Sequence, residues 1–176
     1  MNIKLVRPTM EMEQEYYEYI SEWEQVEEEI VPYALRPLGR EFKTWLEDTY
    51  KFEKKETCPT DFVPAYTYCL VDNSGKILGA LNLRLCLNDY LLNFGGHIGY
   101  GIIPSARNKG YATQMLALAL PIVKSFGISK VLITCDKSNI GSAKTIINNG
   151  GVLENEVLED GEIIQRYWID IDRKEL

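Results

Sequence analysis

The first third of the chain has the hydrophobic periodicity of helices. Between residues 11 and 29, apolar side chains recur at three- and four-residue steps among nine glutamates, with no Lys or Arg; they include Tyr16, Tyr19, Ile20, Trp23 and Val26. Pro32 and Pro37 should end this helix, and residues 38–56 predict a second one. A helix of this kind usually presents a solvated acidic face. The alternative is an acidic wall for a cationic substrate.

From Val63 onwards the period becomes that of strands. The segments 65–71 and 77–87 are β-rich and flank a strong turn, and 95–103 predicts a third strand that Pro104 ends. Further along, the pattern predicts a helix at 111–126, a strand at 130–135, a helix at 139–149 capped by Asn139, and a strand pair at 152–158 and 163–171. Pro121 should kink or shorten the first of these helices. The order β-α-α-β-β-β-α-β-α-β-β predicts one α/β domain with a mixed, mostly antiparallel central sheet flanked by helices.

Composition narrows the class of protein. The 176 residues are 45% apolar and 26% charged, which is typical of one globular domain. The net charge of −7 argues against nucleic-acid binding, which relies on cationic contacts to phosphates. It is compatible with a cationic or neutral substrate.

Neither a membrane segment nor a metal site is expected. The longest apolar run, Met115–Val123, has nine residues, whereas a membrane span needs roughly 18. The first residues contain no apolar stretch of the kind that a signal peptide needs. Four widely spaced cysteines and a single histidine, His97, do not form a zinc motif, and they predict free thiols in the reducing cytoplasm.

The most informative segment runs from Ile98 to Leu116 and predicts a strand, a tight loop and a helix. Within it lies the pattern Arg107-x-x-Gly110-x-Ala112. Several successive backbone N–H groups at the start of a helix form an anion-binding nest, which suits a phosphate or a diphosphate. Neither a Walker A loop nor a G-x-G-x-x-G fingerprint is present.

At these residues the chain resembles the GNAT superfamily of acetyl-CoA-dependent N-acetyltransferases. The resemblance is carried by Ile102-Ile-Pro104, by the Arg107–Ala112 pattern, and by the strand and helix from Val131 through Asn139 to Ser142. It implies a GNAT fold and acetyl-CoA as co-substrate, with the diphosphate on the backbone of the loop and the pantetheine arm beside the preceding strand and Asn139. The cofactor-binding residues that it implies are Ile102, Ile103, Arg107, Asn108, Lys109, Gly110, Tyr111, Ala112, Asn139 and Ser142.

One position departs from the family pattern. Many relatives carry a tyrosine seven residues after the asparagine, where it protonates the leaving thiolate, but this chain has Ile146. Ser142 and Tyr111 are candidate replacements, and the alternative is that the thiolate leaves unaided. A free backbone N–H near Ile102 is the expected donor to the developing oxyanion.

His97 and Tyr100 are the candidate catalytic residues. The ordinary pKa of an imidazole suits His97 as the base that deprotonates the amine, and the alternative is a structural histidine. The two side chains would point to opposite faces of a regular strand, so a bulge at Gly99 or Gly101 would be needed for both to face one cleft.

The acceptor is expected to be a primary amine on a small and perhaps cationic molecule. Asn82, Arg84 and Asn88 are candidate acceptor contacts, whereas Lys137 and Lys144 are candidates for the phosphates of CoA. Two other functions stay open: a non-catalytic acyl-CoA-binding or regulatory domain, and an interaction protein that uses the acidic helix. A homodimer is plausible.

Overall fold

The computed structural model describes residues 2–172, which form seven strands and four helices. The strands are β1 (Lys4–Val6), β2 (Ala65–Val71), β3 (Ile77–Arg84), β4 (Ile98–Ile102), β5 (Lys130–Asp136), β6 (Val152–Glu159) and β7 (Glu162–Asp170). The helices are α1 (Glu13–Glu24), α2 (Phe42–Lys51), α3 (Tyr111–Ser125) and α4 (Ile140–Asn148). This order agrees with the predicted one.

The strands form two antiparallel sheets, with the orders β1-β2-β3-β4 and β5-β7-β6. The mixed α/β class with helices around antiparallel strands is therefore confirmed. The expectation of one continuous sheet is wrong, because strand pairing is interrupted between β4 and β5.

The helices cover both faces of the strands. One face of the first sheet lies under α1 and α2, and the other lies under α3, which in turn contacts α4. Buried aromatic rings fill the first layer, where Tyr16 stacks on Trp45 at 4.3 Å between ring centroids. Met115 of α3 and Ile133 of β5 are fully buried in the second layer.

Element boundaries differ from the sequence prediction where local signals compete. The first two helices are shorter than expected, because the turns around Glu27 and Leu38 adopt positive φ angles. The strand expected at 95–103 begins only at Ile98, because Leu91–Gly95 forms a short π-helical turn. Helix α3 runs without interruption through Pro121, so the expected shortening does not occur. Within residues 2–172, none of the helices combines the length and the apolar character that crossing a membrane requires.

Candidate active site

Strands β4 and β5 meet at one point and then diverge. The N–H of His97, just before β4, donates to the carbonyl of Leu132 in β5 over 2.7 Å. Among the described residues, this is the one backbone hydrogen bond that joins the two strands. The close approach depends on Gly96, which has φ +64°, and any Cβ there would lie 2.6 Å from the Leu132 carbonyl oxygen. We call the wedge that opens from this point the β4–β5 gap.

Backbone groups of both strands face the β4–β5 gap. The N–H of Arg84 donates to the carbonyl of His97, and the N–H of Ile103 donates to the carbonyl of Leu78. These two bonds mark the positions at which the backbone on either side of β4 is bonded to β3. Since bonded and non-bonded residues alternate in an antiparallel pair, the N–H groups of Tyr100 and Ile102 point away from β3, into the gap. An extended ligand that carries amides could pair with such an edge as an added strand does.

The loop after β4 ends in a nest of N–H groups at the start of α3. Asn108 and Gly110 have φ angles of +60° and +78°, and Gly110 caps the helix. Among residues 2–172, the backbone N–H groups of Asn108, Lys109 and Gly110 have no hydrogen-bond acceptor, and the helix dipole adds partial positive charge behind them. Ala112 lies in the first turn of α3, so its N–H belongs to the same end of the helix. The nest can therefore bind a diphosphate.

The two cationic side chains of this loop are held differently. Arg107 forms a bidentate pair with Glu28, with N–O distances of 3.0 and 2.6 Å, and its guanidinium lies 4.9 Å from the ring centre of Trp23. Arg107 therefore ties the loop to the segment after α1. Lys109 is exposed, and its Nζ donates to the carbonyl of Ser105.

On the α3–α4 side of the gap, two hydroxyl groups meet. Tyr100 Oη lies 2.8 Å from Ser142 Oγ, and burial raises the pKa of Tyr100 to about 12. The Ser142 N–H donates to Oδ1 of Asn139, which confirms Asn139 as the N-cap of α4. Ile146 is fully buried, and the hydroxyl pair is formed by Tyr100 of β4 and Ser142 of α4 instead.

His97 lies where the two sheets join, and its geometry favours a structural role. Its side chain is buried, and its Nδ1 accepts a hydrogen bond of 3.0 Å from the N–H of Leu132. Burial, and secondly the charge of Arg84, lowers its pKa to about 4. The register of β3 with β4 is continuous from Ile98 to Ile102, so the bulge that would turn His97 and Tyr100 to the same side is not formed. The base role of His97 stays a prediction.

The other predicted residues have separate surroundings. Ile103 is fully buried and its N–H is bonded to Leu78, so it presents neither its side chain nor its N–H to a ligand. Tyr111 lies half-buried at the first position of α3. Lys137 forms an ion pair with Glu156, and Lys144 is exposed on α4.

A cavity of about 560 Å³ lies on the opposite face of the first sheet, beneath the segments that flank α2. Asn82, Arg84 and Asn88, the predicted acceptor contacts, all line it. Sequence reasoning missed its other lining residues because most of them come from irregular segments without a motif. They are Tyr33, Ala34, Leu38, Arg40, Phe52, Asp61, Phe62, Val63, Tyr90 and Leu91, together with Thr49 of α2 and Ala65 and Thr67 of β2.

Strand β4 lies between the cavity and the gap, and it has a glycine there instead of a larger residue. Gly99 pairs with Asn82 in the sheet, and a Cβ at Gly99 would lie 3.1 Å from Nη2 of Arg84. Arg84, which lines the cavity, therefore lies against β4 at a position where that strand has no side chain. A molecule in the cavity and a ligand in the gap could meet across this strand.

A comparison with protein families gives the class of the chain. A family model for the acetyltransferase (GNAT) domain matches residues 3–152, which is most of the chain. The chain therefore belongs to the GNAT family of acetyltransferases, and its class is that of the acyltransferases. No curated protein matches it in sequence.

Solved structures share the fold over nearly the whole chain. The ribosomal-protein-S5-alanine acetyltransferase from Vibrio fischeri has a TM-score of 0.73 at 17% identity, with 98% of this chain and 94% of that chain covered. The microcin C7 self-immunity acetyltransferase, solved in complex with acetyl-CoA and AMP, has a TM-score of 0.68 at 18% identity, with 96% and 92% covered. Mutant forms of the spermidine/spermine N-acetyltransferase from Vibrio cholerae have a TM-score of 0.65 at 12% identity, with 97% and 95% covered. At these identities the similarity shows the fold alone.

Proposed function

We propose that this chain is a single-domain enzyme that transfers the acetyl group of acetyl-CoA to the primary amine of a small molecule. The observation that carries the proposal is the continuity of the β4–β5 gap with the nest at Asn108–Gly110. The gap offers strand-edge amides to the pantetheine arm, and the nest offers N–H groups to the diphosphate. We propose Ile102, Asn108, Lys109, Gly110, Tyr111, Ala112, Asn139 and Ser142 as the cofactor-binding residues.

Two features of the chain serve the chemistry. Acetyl-CoA supplies an activated acetyl group, whose carbonyl oxygen gains negative charge as the amine attacks. The N–H of Ile102, which points into the gap, is the proposed donor to that oxygen. Tyr100 and Ser142 are the proposed source of the proton for the departing sulfur, because the high pKa of Tyr100 keeps its hydroxyl protonated at neutral pH.

Arg107 is proposed to act through the loop rather than on the phosphates directly. Its guanidinium is already paired with Glu28 and lies over Trp23. The pair fixes the loop that carries the nest.

The amine must lose a proton to react, and water in the open cavity is the proposed acceptor of that proton, since Nδ1 of His97 is already bonded.

The remaining expectations concern the setting of the enzyme. All four cysteines are free thiols, which supports the proposal that the protein works in the reducing cytoplasm. The net charge of −7 supports the proposal that nucleic acid is not a partner. The homodimer stays a prediction.

The proposed function is tested by measuring thiol release from acetyl-CoA with a panel of primary amines, alongside calorimetric titration of acetyl-CoA. We expect binding, and release that depends on the amine. Binding without release on any amine would favour a silent acyl-CoA-binding domain. Absence of binding would remove the proposal altogether and favour an interaction protein.

The hydroxyl pair gives the first specific prediction. Tyr100→Phe and Ser142→Ala should each lower kcat about 10-fold, with KM for acetyl-CoA little changed. The decrease in kcat should be smaller than that caused by removing a general acid from many other enzymes. A thiol has a pKa of about 8.5, so its thiolate is a good leaving group without a proton donor. Steady-state kinetics of both variants measures this.

Tyr50→Phe is the matched control for this prediction. It also deletes a hydrogen-bonded hydroxyl, but one that donates to the carbonyl of Pro8 on another part of the surface. Its kcat should equal that of the unmodified enzyme. Undiminished kcat in both Tyr100→Phe and Ser142→Ala would exclude the pair as the proton source.

A further inference from the structure

Arg84 carries a positive charge at the floor of the cavity without a carboxylate to match it. Its Nη1 donates to the carbonyls of Gly95 and Gly96 at 2.7 and 3.2 Å. Among residues 2–172, no acidic group lies within the 4.0 Å of an ion pair, and neither Nε nor Nη2 has an acceptor. Burial lowers the pKa of Arg84 below its ordinary value, so the folded chain holds this charge at a cost.

The contacts of Nη1 explain only part of this arrangement. The carbonyls of Gly95 and Gly96 end a short helical turn, where a cation is favourable. A guanidinium has five N–H donors, however, and Nε and Nη2, which have no acceptor, belong to a side chain that lines the cavity. Buried charges are normally paired, because an unpaired one loses its hydration without compensation.

The second arginine of the cavity shows the contrast. Arg40 also lines the cavity, but it pairs with Asp48 at 3.1 Å and donates to the carbonyls of Arg36 and Pro37. Each of its three guanidinium nitrogens therefore has an acceptor within the protein, and one of these acceptors is a carboxylate that Lys51 also contacts. Arg84, in contrast, has N–H donors without an acceptor, and this difference indicates that it binds a ligand.

We propose that Arg84 binds an oxyanion of the acceptor, so that the acceptor is an amine that also carries a carboxylate or a phosphoryl group. The proposal rests on the proposed acetyl transfer and names the class of its acceptor. A guanidinium edge binds either oxyanion through two parallel N–H···O bonds. The amides of Asn82 and Asn88, also in the cavity wall, can complete the site.

The rest of the cavity indicates the rest of the acceptor. Phe52 and Phe62 pack edge to face at 5.2 Å between centroids and form an apolar wall that suits an apolar side chain. The charged residues of the lining are Arg40, Arg84 and Asp61, two cations against one anion, so the cavity disfavours a polycation even though the whole chain is acidic.

The amine of such an acceptor has a short path to the gap. With the oxyanion on Arg84, the rest of the molecule lies beside Gly99, where β4 presents no side chain. The amine nitrogen forms a bond to the acetyl carbon as the carbon–sulfur bond breaks. The amine proton goes to water, and the thiolate takes a proton from the hydroxyl pair, which water replenishes.

The experiment compares acceptors that differ only in the oxyanion. L-Phenylalanine is paired with 2-phenylethylamine, and O-phosphoethanolamine is paired with ethanolamine, so the two pairs distinguish a carboxylate from a phosphoryl group. Thiol release from acetyl-CoA gives kcat/KM for each amine. We expect kcat/KM to be about 10- to 100-fold higher for the anionic member of at least one pair. The difference should lie mainly in KM, because charge-assisted hydrogen bonds to Arg84 strengthen binding by this order.

Three variants assign the preference to Arg84. Arg84→Gln should reduce the ratio to near 1, and Arg84→Lys, which keeps the charge but not the fork, should give an intermediate ratio. Arg40→Gln is the matched control and should keep the preference. Circular dichroism and thermal unfolding show which variants are folded. If Arg84→Gln does not fold, Arg84→Lys decides the question.

The outcomes separate this inference from the proposed function. Turnover with equal rates for both members of each pair, or a preference that persists in the folded Arg84 variants, would overturn the oxyanion site while leaving acetyl transfer in place. If none of the amines turns over, the proposed function fails, and calorimetric titration with the same four molecules tests the site by itself. Equal binding of the anionic and neutral members would then overturn it.

Discussion

Single residues at the junction of the two sheets derive their properties from burial. His97 is kept neutral because its ring is buried and because the nearby charge of Arg84 disfavours a second cation; both lower its pKa. Tyr100 is kept protonated because burial disfavours its phenolate. Burial therefore lowers the pKa of the histidine and raises the pKa of the tyrosine. Both shifts keep the side chain uncharged, as expected where the surroundings have a low dielectric constant.

The pKa of His97 leads to a prediction about stability. A pKa of about 4 in the folded protein, against about 6.5 when unfolded, means that the unfolded chain binds the proton first as the pH falls. The stabilisation from neutral His97 is therefore complete above about pH 6.5 and is lost as the pH falls towards 4. Its size is on the order of 2 kcal/mol. Urea unfolding at pH 7.5 and 4.5 measures it.

His97→Asn is the informative variant, because an amide oxygen can accept from the Leu132 N–H without titrating. It should lose about 2 kcal/mol less than the unmodified protein between the two pH values. Equal losses would contradict the assignment. The same variant tests the base role, since an unchanged pH profile of kcat/KM would rule that role out.

Between elements, the approach of β4 to β5 depends on the absence of a side chain. Gly96→Ala should lower the free energy of unfolding by about 3 kcal/mol or more. Its backbone conformation, with φ +64° and ψ −173°, costs about 1–3 kcal/mol for a residue with a Cβ, and crowding against the Leu132 carbonyl adds to that. Thermal or urea unfolding measures the loss.

Gly75→Ala separates strain from crowding. Gly75 has φ +90° in the β2–β3 turn, and a Cβ there would meet nothing within 4 Å. It should therefore lose only the 1–2 kcal/mol of backbone strain. If the two variants were equally stable, the contact of Gly96 with Leu132 would not position the strands.

At the scale of the whole molecule, the two sheets should become more firmly joined when acetyl-CoA enters the gap. At 100 times its dissociation constant, a ligand stabilises the folded state by about 2.7 kcal/mol. For a chain of this size, that should raise Tm by about 5–10 °C. Differential scanning calorimetry with and without acetyl-CoA measures the shift.

A pair of glycine variants tests whether the nest produces this shift. Gly110→Ala and Gly127→Ala introduce the same backbone strain, at φ +78° and +81°, at opposite ends of α3. Both should be less stable, but only Gly110→Ala should show a smaller rise of Tm at the same acetyl-CoA concentration. Equal rises in the two variants would show that the diphosphate binds elsewhere.

The sequence by itself determined the features that neighbouring residues establish. The strand, loop and helix around Gly110 follow from local periodicity and backbone conformation, and Asn139 caps α4 because its side chain reaches a backbone N–H three residues later. The element order followed for the same reason, whereas the roles of the predicted site residues still await their tests.

Only the tertiary structure decided what depends on residues far apart in the chain. It divided the strands into two sheets, which approach each other at His97 and Leu132. It also placed Tyr100 against Ser142 and left N–H donors of Arg84 without an acceptor at the floor of the cavity. None of these has a periodic signal, because each depends on packing that brings together segments separated by many residues. An arginine in the sequence indicates a binding site only when the fold shows which groups can neutralise its charge.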